Sequence, residues 1–76
     1  MDIKDFIEKF AEQFDETAPG SFKPETMFHD LDEYSSLIAL SIISMIDEEY
    51  GVTLNAAEMT AAMTVEDLFN TVKAKL

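Results

Sequence analysis

The stretch Ser36–Tyr50, SLIALSIISMIDEEY, followed by Gly51, reads as a helix at the centre of a bundle. Ala39, Leu40, Ile42, Ile43, Ile46 and Tyr50 form an apolar face covering most of the circumference, which marks a helix packed on several sides. Its polar strip is narrow: Ser41, Ser44 and Glu48, flanked by Asp47 and Glu49. Leu37 and Ile38, in the first turn, are expected partly outside the core. Gly51 suits the left-handed position just past a helix end.

Working outward, Ile3, Phe6, Ile7, Phe10, Ala11 and Phe14 recur at helical spacing, with Asp2 as the expected N-cap and the Asp15–Gly20 segment as the stop. About 20 residues without regular periodicity then lead to Ser35. They carry Phe22, Met27, Phe28, Leu31 and Tyr34, which predict an ordered loop pinned to a core, with one helical turn over Pro24–Phe28. Downstream, Asn55 with Glu58 and Thr64 with Asp67 have the spacing of capping boxes. They predict a short helix from Ala56 to about Met63 and a last helix with Val65, Leu68, Phe69, Val72 and Leu76 on one stripe. Lys73 and Lys75 fall in its last turn, where the dipole favours cations. The expected architecture is all-α: one domain over residues 1–76, with three long helices, one short helix and a long first loop.

Charge narrows the partners. Sixteen acidic side chains against five lysines give 76 residues a net charge of −11. Nucleic acid needs cations facing its phosphates, and an anionic membrane surface repels such a chain, so neither is expected as a partner. A basic protein surface is favoured instead. The hydrophobic content of 47% argues against the disorder that high net charge otherwise signals. Met1-Asp2-Ile3-Lys4-Asp5 has acids where a secretory leader has basic residues, and no apolar stretch approaches the length of a membrane span, so a soluble, cytoplasmic monomer is expected.

Few residues offer chemistry of their own. No cysteine is present, hence no thiolate nucleophile and no thiolate-bound metal. His29, the single histidine, is expected as a surface residue of an acidic loop; it has no evident nucleophile–base–orienter set around it. A calcium loop starting at Asp30 fails, because its sixth position is Ser35 and its twelfth Ser41. Asp30, Asp32 and Glu33 read as a solvated acidic cluster. No catalytic residue and no metal site are expected. The informative place is Tyr34-Ser35-Ser36-Leu37, where two hydroxyls stand at the entry to the central helix. One serves as an N-cap; the other is left free, where a phosphate would meet unpaired N–H groups and the positive end of the helix dipole.

Three motifs in order, on this helical pattern, resemble the acyl carrier protein family along essentially the whole chain. They are Ser35-Ser36-Leu37 opening the central helix, Asp47-Glu48-Glu49-Tyr50-Gly51-Val52 closing it, and Thr64-Val65-Glu66-Asp67-Leu68 opening the last one. The resemblance implies a small four-helix bundle that is not itself an enzyme. It implies that a phosphopantetheinyl transferase moves 4′-phosphopantetheine from coenzyme A onto Ser36, flanked by Ser35 as the N-cap. It further implies acyl groups held as thioesters, and acyl-transfer, ligase or synthase partners with basic docking surfaces.

Departures from the family pattern qualify the match. Ser35 fills the family's Asp position, and Ile38 and Ser41 stand where many fatty-acid carriers have acids. Partner docking is therefore expected on Leu37, Ile38, Ser41, Asp47 and Glu48, with charge only at the far end of the helix. This pattern predicts a specialised carrier for fatty-acid, polyketide or related biosynthesis. The alternative is an acidic helical interaction module without a prosthetic group.

Overall fold

The computed structural model describes residues 1–76. Four helices form, α1 (Ile3–Ala11), α2 (Ser36–Tyr50), α3 (Ala56–Ala61) and α4 (Val65–Ala74), with no strand. Each starts on a side-chain cap. Asp2 accepts from Lys4 N, Ser35 from Ile38 N, Asn55 from Glu58 N and Thr64 from Asp67 N, and the last two are full capping boxes. Gly51 ends α2 at φ 67°, a conformation that a Cβ would strain.

The ends of three helices differ from their expected positions. α1 stops at Ala11, before Phe14, because tight i→i−3 bonds from Gln13 N to Phe10 O and Phe14 N to Ala11 O replace the helical pattern. That tighter turn still delivers Phe14 to the core. α3 ends at Ala61 rather than near Met63, and α4 ends at Ala74, which leaves Leu76 exposed and off its stripe.

The core is strongly aromatic. Phe10 of α1 is its hub, with ring centroids 5.5 Å from Phe14, 5.8 Å from Phe22 and 5.3 Å from Phe28, and Phe6 tilted against it at 6.3 Å. Phe22 and Phe28 come from the long loop. Edge-to-face contacts at these distances are favourable beyond simple area burial. Two phenylalanines of the loop thus bind it to α1, and α2 and α4 complete the core with Ile42, Met45, Ile46, Val65, Leu68 and Val72.

The loop from residue 12 to residue 35 is ordered as expected. A turn closes at Pro24-Glu25, where Thr26 N donates to Lys23 O at 3.0 Å, but it does not extend to Phe28 as a helical turn. Two short 3-10 turns form at Pro19–Ser21 and Phe28–Asp30, flanking the predicted turn over Pro24–Phe28. Met27 faces solvent, against the expectation that it would help to pin the loop. The Thr26 hydroxyl accepts from Lys23 N at 2.9 Å and donates to Ser21 O at 3.2 Å, and backbone bonds fix the rest of the intervening segment. Thr26 O accepts from Val65 N at 3.1 Å and Pro24 O from Glu66 N at 2.9 Å. These satisfy two of the N–H groups left open at the start of α4.

On α2 the apolar face turns differently from the sequence reading. At ~100° per residue, Ile42 and Ile46 define the buried direction and Leu40 points almost opposite. Leu40 is 61% exposed and Leu37 73% exposed. Ile38 is partly buried, as expected, and its buried side packs against the core. A helix apolar over most of its surface has no narrow stripe to fix its rotation, and the packing of its neighbours decides.

Candidate functional site

The two serines before α2 are held in different ways. Ser35 is extended (φ −152°, ψ 174°), and its Oγ accepts from Ile38 N at 3.3 Å while its carbonyl accepts from Ala39 N at 2.9 Å. Ser36 is the first helical residue and is exposed. Its hydroxyl makes no hydrogen bond within the protein, and neither Ser36 N nor Leu37 N has an acceptor. One hydroxyl caps the helix; the other stands free beside two open N–H groups.

No acidic residue lies in the first turn of α2. The loop acid closest in sequence, Glu33, is removed from the solvated cluster in which it was expected. Its carboxylate accepts from the backbone N–H groups of Asp15 (2.6 Å), Glu16 (3.0 Å) and Thr17 (2.9 Å) and from Thr17 Oγ1 (2.8 Å). Desolvation pushes this carboxyl up, yet the four donors together outweigh it and hold Glu33 below the ordinary carboxylate value. Glu33 thus spends its charge on a ring of donors 16 to 18 residues upstream. No group of three or more metal-ligating side chains forms anywhere in the chain.

His29 is exposed, as expected of a surface residue, but its ring is not free. Its Nε2 donates to both Met59 O (3.0 Å) and Ala62 O (2.9 Å) at the C-terminal end of α3. The ring stacks on Phe28 at 4.4 Å and meets the edge of Tyr34 at 4.9 Å. Beside it, α2 and α3 bound a cleft of about 390 Å³, with Ala39, Leu40 and Ile43 on one wall, Ala56 and Met59 on the other, and Ser36 at its edge.

The outer face of α2 runs from this cleft to the opposite end of the helix. Leu37 and Leu40 are exposed near Ser36, Ser41 and Ser44 follow, and Asp47 and Glu48 are exposed in the last turn. Of the residues expected to meet partners, Leu37, Ser41, Asp47 and Glu48 share this face and Ile38 does not. Leu40 belongs with them and was misplaced on the core side. Its i, i+3 spacing from Leu37 was the available signal.

A free, exposed serine hydroxyl at a helix N-terminus in a four-helix bundle is what a carrier's attachment point needs. The family model described as "Phosphopantetheine attachment site" matches residues 4–72. The chain belongs to the acyl carrier protein family. Comparison with curated proteins and with solved structures returns no significant match. Members of this family bear covalently attached 4′-phosphopantetheine, and they carry intermediates instead of converting them. The donor set fits that group. A phosphate on Ser36 would meet two free N–H groups and the positive end of α2, worth about 0.3–1 kcal/mol from the dipole. No helix of this acyl carrier is long and apolar enough to cross a membrane.

Proposed function

We propose that Ser36 Oγ is the attachment point, and that the chain presents acyl thioesters to dedicated enzymes in a specialised branch of fatty-acid, polyketide or related biosynthesis. The observation that carries the proposal is the division of labour between the serines: Ser35 caps α2 and Ser36 is left free. The arm, when attached, supplies a terminal thiol to hold the acyl group. The chain's own residues orient and dock. The open N–H groups of Ser36 and Leu37 would be available to the phosphate, and the Ser35 cap fixes the first turn of α2 that carries Ser36. A tethered acyl group reaches a docked enzyme at a high effective concentration.

The same α2 face supports the specialised reading. Leu37 and Leu40 present apolar surface beside Ser36, while Asp47 and Glu48 offer charge about 16–18 Å along the helix from Ser36, at 1.5 Å per residue. A matching partner has an apolar patch at the mouth of its active site and basic residues at that distance. Electrostatics would then steer the encounter while the leucines set its specificity. The net charge of −11 works against self-association and favours a monomer.

The test loads the arm with coenzyme A and a broad-specificity phosphopantetheinyl transferase, then offers the product to the condensing and acyltransferase enzymes of a housekeeping fatty-acid synthase. The expected result is a rate well below that of the synthase's own carrier. Turnover at the full rate would overturn the specialised reading.

A further inference from the structure

The helix α3 is short, and one of the residues that hold it lies outside the attachment site. With six residues, α3 is too short to persist by its own hydrogen bonds. It packs chiefly on α4, and Met59 is its one buried side chain. At its N-terminal end, Glu58 joins Lys75 of the last turn at 2.7 Å and completes the capping box with Asn55. At its C-terminal end, the carbonyls of Met59 and Ala62 are both taken by His29 Nε2. Carbonyls only accept, so Nε2 carries the proton and shares it between them.

His29 is well placed to act as a latch. It is the only side chain of the long loop hydrogen-bonded to the α3 segment, and its ring is held against Phe28, which is completely buried. Through Phe28 the latch is anchored to Phe10 and so to α1. It also stands at the edge of the α2–α3 cleft, with Ser36. Just past α3, Met63 N donates to Asp67 Oδ2 at 3.2 Å and ties that end to α4 as well. The bonds to His29 are thus the side-chain ties that hold α3 to the long loop, and they are the ones that break if α3 moves with α4 away from α2.

We infer that His29 is a positioning residue that latches α3 against the body of the bundle and thereby sets how far the cleft beside Ser36 opens. The inference rests on the carrier reading for its functional meaning: a closed cleft shields the walls that an acyl chain tethered at Ser36 would meet. Its structural content stands without that reading.

The experiment compares wild type, His29→Ala and His29→Gln, the last keeping an N–H at the end of its side chain. Amide hydrogen exchange of the apo proteins is followed residue by residue. In His29→Ala, exchange at Met59, Thr60, Ala61 and Ala62 is expected to rise on the order of tenfold, the worth of one neutral hydrogen bond, with α1 and α4 unchanged. His29→Gln should recover most of that protection. In a second arm, each protein is converted to its phosphopantetheine form, given an octanoyl thioester and followed for release of octanoate at neutral pH. Release is expected to be faster from His29→Ala and near the wild-type rate from His29→Gln.

Equal α3 exchange in wild type and His29→Ala would overturn the latch. So would a loss of protection in all four helices alike, since the ring would then serve the whole core. Failure of wild type to accept phosphopantetheine would sink the carrier reading and leave the exchange arm to decide the latch.

Discussion

Tyr50 closes the end of α2 opposite Ser36, and its hydroxyl is buried with no protein hydrogen-bond partner. The ring packs on Phe6 at 5.9 Å, and the Lys9 ammonium sits 5.1 Å from its centroid, engaged with Glu49 at 3.3 Å. Desolvation pushes the phenol above its ordinary value, with Lys9 acting in the opposite direction. An orphaned buried hydroxyl costs about 1–3 kcal/mol, whereas the ring contributes favourable packing that phenylalanine would keep. Tyr50→Phe removes that hydroxyl, and with it a weaker attraction to the nearby Lys9 ammonium, and keeps the ring. The expected result is a gain of ~1 kcal/mol, which for a chain of this size raises the melting temperature by about 4–8 °C. Thermal unfolding followed by circular dichroism at 222 nm reads it directly. Tyr34→Phe is the control, since the Tyr34 hydroxyl is not an orphaned buried group, and its change should stay within about 0.5 kcal/mol. A Tyr50→Phe variant less stable than wild type by ~1 kcal/mol would refute the reasoning. The hydroxyl would then have a partner, such as a bound water, that the side-chain geometry does not supply.

Removing the fully buried Phe28 ring (Phe28→Ala) should cost about 3–5 kcal/mol, and urea unfolding should show the midpoint fall accordingly. Ser35→Ala loses the cap on α2 and should cost ~1 kcal/mol, while Ser36→Ala should be nearly neutral; equal losses in the two variants would contradict the division between the serines. Glu33 and Glu58 are both held below the ordinary carboxylate value, Glu58 first by Lys75 and then by Asn55 N–H. A lowered folded pKa adds stability above the unfolded value, and that stability is lost as pH falls through the folded one. Urea midpoints should therefore be flat from pH 7 to about 5 and decline below ~4.3. Glu33→Gln should flatten the decline, and an unchanged acid slope would remove Glu33 from this role.

Local signals in the sequence reached far into this fold. Asp2, Ser35, Asn55, Thr64 and Gly51 mark helix ends through interactions spanning only two to four residues, so their spacing alone exposes them. The side of α2 that Leu40 takes was marked only by its i, i+3 spacing from Leu37, because a nearly all-round apolar helix contains no stripe from which its rotation can be read. The loop's attachments were hidden for another reason. Glu33 binds the N–H groups of residues 15–17, His29 the carbonyls of Met59 and Ala62, and Val65 and Glu66 the carbonyls of Thr26 and Pro24. Backbone partners leave no mark on side-chain identity, and the separations reach 42 residues. At the candidate site, the pair of serines was visible at once. Which of the two hydroxyls is left free follows from the φ and ψ that Ser35 adopts as the N-cap.

The most direct test of the central claim is intact mass after incubation with coenzyme A and a broad-specificity phosphopantetheinyl transferase, run on wild type, Ser35→Ala and Ser36→Ala. The account predicts a gain of one phosphopantetheine in wild type and in Ser35→Ala, and none in Ser36→Ala. A gain in Ser36→Ala, or none in folded wild-type protein, would contradict it.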